Sequence, residues 1–379
     1  MVVMKINLLA GAKGSTGFAR YTNELYNCLR EMDVDVHLVE PQPAEPPGFV
    51  TSMFKRMGWD MRTFLTNYPL MVGAPKDGLL HITNQNLGTA MLFKRPEPAV
   101  ITVHDIIPYI LRRDRYLSGY TSAAHRIVDM LAMIGVKKAR TIIADSRYTK
   151  DTLLQHLGIN PERIHVVYLG VDRCRFYPID VPDDFYEKYG LDKDISYVLF
   201  VGSEDPRKNL DFLLRAFALV RKERKDVQLL KVGAARFIQS RHKSIELIEQ
   251  LGIEDAVRFL DEVGDGDLPL FYNAAKVFAF PSFYEGFGLP ALEAMSCGTP
   301  VVASDRSSVP EVVADAGIIV DASDERAWAE AILGVLDSPS LQQQLGSLGL
   351  QRAQHLSWEK TAEETVKVYT IVDDPREVK

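Results

Sequence analysis

A series of short apolar runs, separated by segments of helical periodicity, limits how this chain can fold more than any other feature. Met4–Leu9, Val34–Val39, Leu79–Ile82, Ala99–Val103, Thr141–Ala144 and Ile164–Tyr168 are short, apolar on both faces and bounded by turn or cap residues. Such runs suit parallel strands covered on both sides. Between them, Thr16–Glu31, Ser122–Ile134 and Ser146–Leu157 predict helices, with Ser146 as an N-cap and Gly158 as a stop. This pattern describes a doubly wound α/β domain. A second series repeats it: Tyr197–Val201, Val227–Val232, Val257–Leu260, Lys276–Phe280, Pro300–Ala303 and Gly317–Val320 predict strands. Asn209–Glu223, Leu289–Cys297, Asp324–Asp337 and Leu341–His355 predict the accompanying helices, and Ser357-Trp358 opens a last one to about Ile371. At 379 residues the chain is too long for one ordinary core. The division is expected at 1–178 and 179–357, with a hinge near 173–195 in the charged stretch Tyr177–Asp194.

The chemistry concentrates where the predicted strand Lys276–Phe280 gives way to a helix. There, Glu285-Gly-Phe-Gly-Leu-Pro-Ala-Leu-Glu293 sets two carboxylates eight residues apart. Gly286 and Gly288 allow a ligand to approach the backbone closely. The amides of Phe287, Gly288 and Leu289 fall at the expected helix N-terminus, a good place for a phosphate. One acid can meet a sugar and the other a ribose, with a diphosphate between them. Further elements are Thr102-Val-His-Asp105, Ala144-Asp-Ser-Arg-Tyr-Thr-Lys150, Val167-Tyr-Leu-Gly-Val-Asp172 and Val201-Gly-Ser-Glu-Asp-Pro-Arg-Lys-Asn-Leu210.

In this order, these elements resemble the group 1, or GT4, family of retaining glycosyltransferases of the GT-B fold, over about residues 4–370. The resemblance implies two doubly wound Rossmann-like domains facing a central cleft, with the last helix, about 358–379, packing back on the first domain. It implies transfer of a hexose from a nucleotide-sugar to a glycan or lipid-linked acceptor. Glu285 would meet hydroxyls of the transferred sugar, Glu293 the ribose, and Lys208 and Arg207 the diphosphate. Gly202 and Ser203 line the donor loop, and Val263 borders the base. Many relatives carry an arginine where Ser203 stands, so either Arg207 replaces it or Lys208 alone reaches the diphosphate. His104 would lie beside the transferred sugar, with Asp105 either holding it or capping the next segment. Gly14, Ser15, Thr16 and Gly17 would meet the acceptor or the diphosphate. The loops Gly202–Asn209 and Val103–Pro108 resemble those of mannosyltransferases, so GDP-mannose is the expected donor, with UDP-glucose and UDP-N-acetylglucosamine open.

Other readings fit less well. The glycines at 11, 14 and 17 and the acid Glu40 suggest an NAD site, but the spacing is not G-x-G-x-x-G. A phosphorylase of the same fold would need a pyridoxal lysine, and none can be identified. A catalytically idle sugar-nucleotide-binding subunit would have no need of Glu285, His104 and Lys208 together. Asp265-Gly-Asp267 has the spelling of a metal-binding D-x-D but precedes a short helical segment, so no metal cofactor is expected. The three cysteines are far apart and form no C-x2-C pair. A net charge of −7 argues against general nucleic-acid binding. No apolar run reaches the roughly 18 residues of a membrane span, and the N-terminus moves straight into a strand without a signal peptide. A cytoplasmic protein is expected. Residues 112–150 carry nine Lys/Arg against three Asp, and residues 51–65 mix Lys55, Arg56 and Arg62 with Met53, Phe54, Trp59 and Phe64. Both segments could face an anionic membrane or a lipid-phosphate acceptor.

Overall fold

The computed structural model describes residues 4–11, 17–40, 52, 55–56, 77–92, 98–114, 117–120, 123–235, 238–261, 263–264 and 266–373. The chain divides into two compact units, Met1–Leu169 with Trp358–Lys379, and Gly170–Ser357.

The first unit is built on six parallel strands: β1 Ile6–Leu9, β2 Val36–Val39, β3 Leu79–Ile82, β4 Ala99–Val103, β5 Thr141–Ala144 and β6 Ile164–Val166. They lie in the order β2-β1-β3-β4-β5-β6. β1, β3 and β4 are wholly buried. β2 is an edge strand and exposes His37 and Leu38, so its apolar run covers one face only. Ser146 Oγ accepts the Thr149 amide at 3.0 Å and starts the helix Arg147–Thr152, which continues as a π turn to Leu157 and stops at Gly158 in a left-handed conformation. A 3-10 segment at Gln85–Met91 and a short helix at Ile107–Ile110 were not legible, because neither is long enough to show a period. The helix Ala123–Lys138 packs directly on that 3-10 segment. A Cβ on Gly135 would sit 1.8 Å from the Gly88 carbonyl oxygen, so only glycine permits this contact.

The helix Trp358–Asp373 belongs to this unit. Its Thr361 Oγ1 donates to the Tyr168 carbonyl at 2.8 Å, and Tyr369 Oη lies 2.6 Å from His81 Nδ1. His81 Nε2 in turn lies 2.7 Å from Thr102 Oγ1, which is 3.0 Å from Tyr21 Oη. Burial pushes the His81 imidazole down to about 3, so it is neutral at ordinary pH.

The second unit repeats the plan with β7 Ser196–Val201, β8 Val227–Val232, β9 Val257–Leu260, β10 Ala275–Phe280, β11 Val301–Ser304 and β12 Ile318–Val320, all parallel. Their order is β12-β11-β10-β7-β8-β9, so the winding reverses between β7 and β10. In open α/β sheets ligands bind outside the C-terminal ends of the strands at such a point. The helices Leu210–Glu223 and Glu325–Asp337 cover one face, with Trp328 and Phe217 fully buried in the core beneath them. The unit starts at Gly170, ahead of the expected boundary at 178. Val171 bridges to Ser357, and the buried Phe176 packs edge-on against Tyr272 at 5.9 Å. The stretch Tyr177–Asp194 hides a helix, Asp183–Tyr189, behind its charges. Phe185 anchors it, 4.8 Å from the Phe271 ring. Ile238–Leu251 and Val309–Val313 are further helices beyond those expected, and Leu268–Ala274 is the short helix expected after Asp267.

One acid in the first unit is held at a cost. Asp129 is 6% exposed and accepts a hydrogen bond from Tyr120 Oη. Burial pushes its carboxyl up to about 6, with the nearby Asp105 charge adding to the rise. A carboxyl raised in the folded state contributes full stability below its unfolded value, about 3.9, and loses it as pH climbs through the folded value. Asp129→Asn keeps an acceptor for Tyr120 without the charge. It should stabilise the protein by about 3 kcal/mol at pH 8, since each of the roughly two units is worth about 1.4 kcal/mol, and by almost nothing at pH 4. Thermal unfolding at the two pH values checks this, and an equal shift at both would contradict it.

Candidate active site

At the point where the second sheet reverses, the exits of β7 and β10 are stitched together. After β7, Asp205 Oδ1 accepts the Arg207 amide at 3.0 Å and closes the 3-10 turn Pro206–Lys208. The same carboxylate takes the Arg207 guanidinium, with Nε 3.1 Å from Oδ1 and Nη2 2.7 Å from Oδ2. Burial works to raise the Asp205 carboxyl, but Arg207 outweighs it and holds the group below the usual carboxylate range. Asn209 adopts a left-handed conformation, and its amide reaches the carbonyls of Pro281, at 3.2 Å, and Ala322, at 3.3 Å. The Phe283 amide donates to the Arg207 carbonyl at 2.8 Å. These bonds bring Lys208 Nζ to 2.6 Å from Glu285 Oε1, with the Lys208 charge 5.7 Å from the Phe280 ring centre. The side chains are 22% and 13% exposed, so the pair is sheltered yet reachable.

After β10, Ser307 Oγ accepts the Glu285 amide at 3.0 Å, and Ser308 Oγ lies 3.1 Å from the Glu285 carbonyl and 2.9 Å from that of Phe287. Gly288, at φ 108, precedes the helix Leu289–Ser296 in a conformation that side chains resist. Pro290 in the first turn carries no N–H, and the Ala291 amide turns back to the Gly288 carbonyl at 3.1 Å. The amides of Gly288 and Leu289 therefore head this helix. Glu293, five residues into it, is 4% exposed and accepts a hydrogen bond from Tyr272 Oη at 2.9 Å. Gly202 and Ser203 follow β7 and Val263 follows β9, all half-buried; Gly286 beside Glu285 is half-buried too.

In the first unit the sheet ends in a separate polar cluster. His104 follows β4 and is 6% exposed. Its Nε2 lies 3.0 Å from the Thr83 carbonyl, which can only accept, so Nε2 carries a proton. Its Nδ1 faces Asp145 Oδ2 at 3.4 Å. Phe18 stacks on the ring at 5.1 Å, and Tyr21 meets it edge-on at 4.7 Å. Both ring nitrogens thus face protein partners, and the partner acid is Asp145. Asp105 instead caps the next helix, accepting the Ile107 amide at 3.0 Å. Burial pushes the Asp145 carboxyl up to about 6, against the pull of His104. Gly17 is exposed at the start of the helix Gly17–Glu31, while Gly14, Ser15 and Thr16 lie outside the described residues.

Among the described residues no group of three or more His, Cys, Asp or Glu is placed to hold a metal ion. Asp267 is taken by Lys188 Nζ and Tyr189 Oη, each at 2.6 Å, and Asp265 lies outside the described residues. Sequence reasoning missed Glu204 and Lys231, which meet beneath the β7 exit at 2.6 Å. The available signal was Lys231 itself, a lone charge inside the apolar run of β8.

Comparison with known proteins places this geometry in a family. Residues 183–352 match the family described as glycosyl transferases group 1, and residues 15–175 match glycosyltransferase family 4. The chain is 32% identical over 324 residues to the O-antigen chain mannosyltransferase B of Escherichia coli, covering 84% of this chain and 78% of the relative. It is 33% identical over 243 residues to a D-inositol 3-phosphate glycosyltransferase of Streptomyces scabiei, covering 62% of this chain and 54%, little more than half, of that relative. The crystal structure of Anabaena Alr3699/HepE in complex with UDP and glucose superposes with a TM-score of 0.70 at 19% identity, over 97% of this chain and 99% of the other, a likeness of fold. The chain belongs to the group 1 glycosyltransferases and has their two-sheet GT-B fold.

Proposed function

We propose that this glycosyltransferase moves mannose from GDP-mannose, with retention, to a glycan or lipid-linked acceptor. The observation that carries the site is the Lys208–Glu285 pair at 2.6 Å where the second sheet reverses. Breaking a sugar–phosphate bond puts new negative charge on the leaving diphosphate and positive charge on the sugar. A fixed cation and a fixed anion side by side match that separation, and they stabilise the transition state more than the ground state. Lys208 meets the diphosphate, together with the amides at the head of the helix Leu289–Ser296; Glu285 meets the sugar; Glu293 meets the ribose. Arg207 is already engaged by Asp205 and supplies less of the charge. The acceptor attacks from the face the diphosphate leaves, with a departing phosphate oxygen as base. His104 contributes from the first unit by position, since its ring nitrogens are taken up by Thr83 and Asp145. Support for mannose comes from the donor-loop resemblance and from the E. coli relative, a mannosyltransferase by name. UDP-glucose is the second reading, supported by the fold shared with a protein that holds UDP and glucose.

Transfer assays with GDP-mannose and UDP-glucose test this reading. Glu285→Gln should lower turnover about a hundredfold or more, the scale of losing an electrostatic stabiliser, with donor affinity nearly kept; near-normal turnover would remove Glu285 from the mechanism. The same assay in excess EDTA should retain activity, because the charge on the diphosphate is met by side chains and amides. Loss on chelation with recovery on Mn²⁺ or Mg²⁺ would overturn that.

We also propose that the protein works in the cytoplasm against an anionic membrane. No helix among the described residues is long and apolar enough to cross one. The helix Ala123–Lys138 exposes Ile127 at 58%, Met130 at 41% and Ile134 at 46%. Their spacing puts them on one face, beside the exposed Arg126 and Lys137. Lys55 and Arg56, also exposed, are the described cations of the other basic segment, most of which lies outside the described residues. Each cation near such a surface adds about 1 kcal/mol, and salt weakens it. Co-sedimentation with vesicles should need anionic lipid, fall with salt and drop when Ile127 and Ile134 become Ser. Equal recovery in the supernatant with and without anionic vesicles at low salt would rule the contact out.

A further inference from the structure

The second unit buries a lysine completely. Lys231, next to last in β8, is 0% exposed, and its Nζ lies 2.6 Å from Glu204 Oε1, itself 1% exposed. Nζ also donates to the Gly233 carbonyl. Arg241, from the helix Ile238–Leu251, brings Nε to 2.7 Å from the same Glu204 oxygen and Nη1 to 3.0 Å from Asp261 Oδ2, just past β9. Glu204 Oε2 has no hydrogen-bond partner among the described residues. Burial pulls the Lys231 ammonium below its ordinary value even though Glu204 pushes the other way.

Stability does not explain this arrangement. Removing two charges from water costs several kcal/mol each, and apolar residues of the same volume often do as well or better. Glu204 Oε2 adds the cost of a buried acceptor without a donor. The explanation lies in what Glu204 is attached to. It stands two residues after Gly202 and four before Lys208, inside the loop that carries the site cations. Gly233 closes on the same loop: at φ 123, a Cβ there would come within 3.0 Å of the Gly202 carbonyl oxygen. The far end of the loop is fixed by Asn209 on Pro281 and Ala322.

We propose that the buried Glu204–Lys231 pair is a positioning strut that fixes the near end of the Gly202–Asn209 loop, so that Lys208 is held ready for the nucleotide diphosphate. This rests on the reading of that loop as the diphosphate site. The strut touches no ligand. It acts through backbone placement, where a shift of about 1 Å is enough to cost a hundredfold.

The test separates placement from stability. In the double variant Glu204→Leu/Lys231→Met the buried charges leave together, and Arg241 keeps Asp261. Its Tm should stay close to wild type while the affinity for GDP, read by calorimetry, falls about tenfold or more. A merely structural pair would give recovered Tm and recovered GDP affinity, and that result overturns the proposal. If the double variant does not fold, Glu204→Gln decides: it keeps the shape and one acceptor, a severalfold loss of GDP affinity supports the strut, and an unchanged affinity overturns it. Lys208→Ala is measured alongside. If it binds GDP as wild type does, the loop is not the diphosphate site and both readings fall; if only the strut variants do, the strut alone falls.

Discussion

The parallel pairing of β7 with β10 is the constraint on which the Lys208–Glu285 contact of the second unit depends. Strands numbered apart in sequence become neighbours there, and the winding reverses between them. Their following loops meet outside the C-terminal ends of the strands, where folds of this kind place ligands. That geometry lets Lys208 and Glu285, 77 residues apart, meet at 2.6 Å. The hydrogen bonds from Asn209 and Phe283 then keep the loops from relaxing away from each other. The apolar beds beneath, with Phe280, Val198 and Leu199 wholly or nearly wholly buried, give those loops a rigid base.

Around this point the charges come matched. Lys208 has Glu285, Arg207 has Asp205, and Lys231 and Arg241 share Glu204 with Asp261. Matching keeps sheltered charges from standing alone, which would be costly at low dielectric. The pairs differ in what they can give up. Arg207 is held by a two-pronged contact and by the turn its partner caps, and Lys231 is sealed from solvent. Lys208 has one carboxylate contact and is 22% exposed. A phosphate group arriving at that spot can therefore share Lys208 with Glu285 at small cost, whereas the deeper pairs stay as they are and hold the backbone.

How much of this was legible depended on range. Strand positions showed in the sequence because a buried parallel strand needs a largely apolar run, and the twelve described strands lie where the runs lie. The helix beginning at Arg147 showed because its cap and stop are local, Ser146 and Gly158. Glu285 and Lys208 showed through motif resemblance, not through spacing. What failed to show was pairing at a distance. Asp105 sits next to His104 in sequence, but its carboxylate is spent on the Ile107 amide, and Asp145, on the exit of a neighbouring strand, faces the ring instead. Glu204 looked like one more polar loop residue, because nothing local tells that β8 brings a lysine under it. Short helices such as Asp183–Tyr189 stayed hidden because two turns give a period too little room.

The His104 cluster shows how such distant pairing changes a residue's chemistry. The Thr83 carbonyl fixes a proton on Nε2, so a neutral ring would turn a bare lone pair on Nδ1 toward Asp145. Burial pushes the Asp145 carboxyl up to about 6, against the pull of the imidazole beside it, at a position where Asp145 is 1% exposed. Phe18 and Tyr21 hold the ring from its face and edge. A histidine so held has both ring nitrogens turned to protein partners. What these contacts fix is the end of β4 and the start of the loop that follows it.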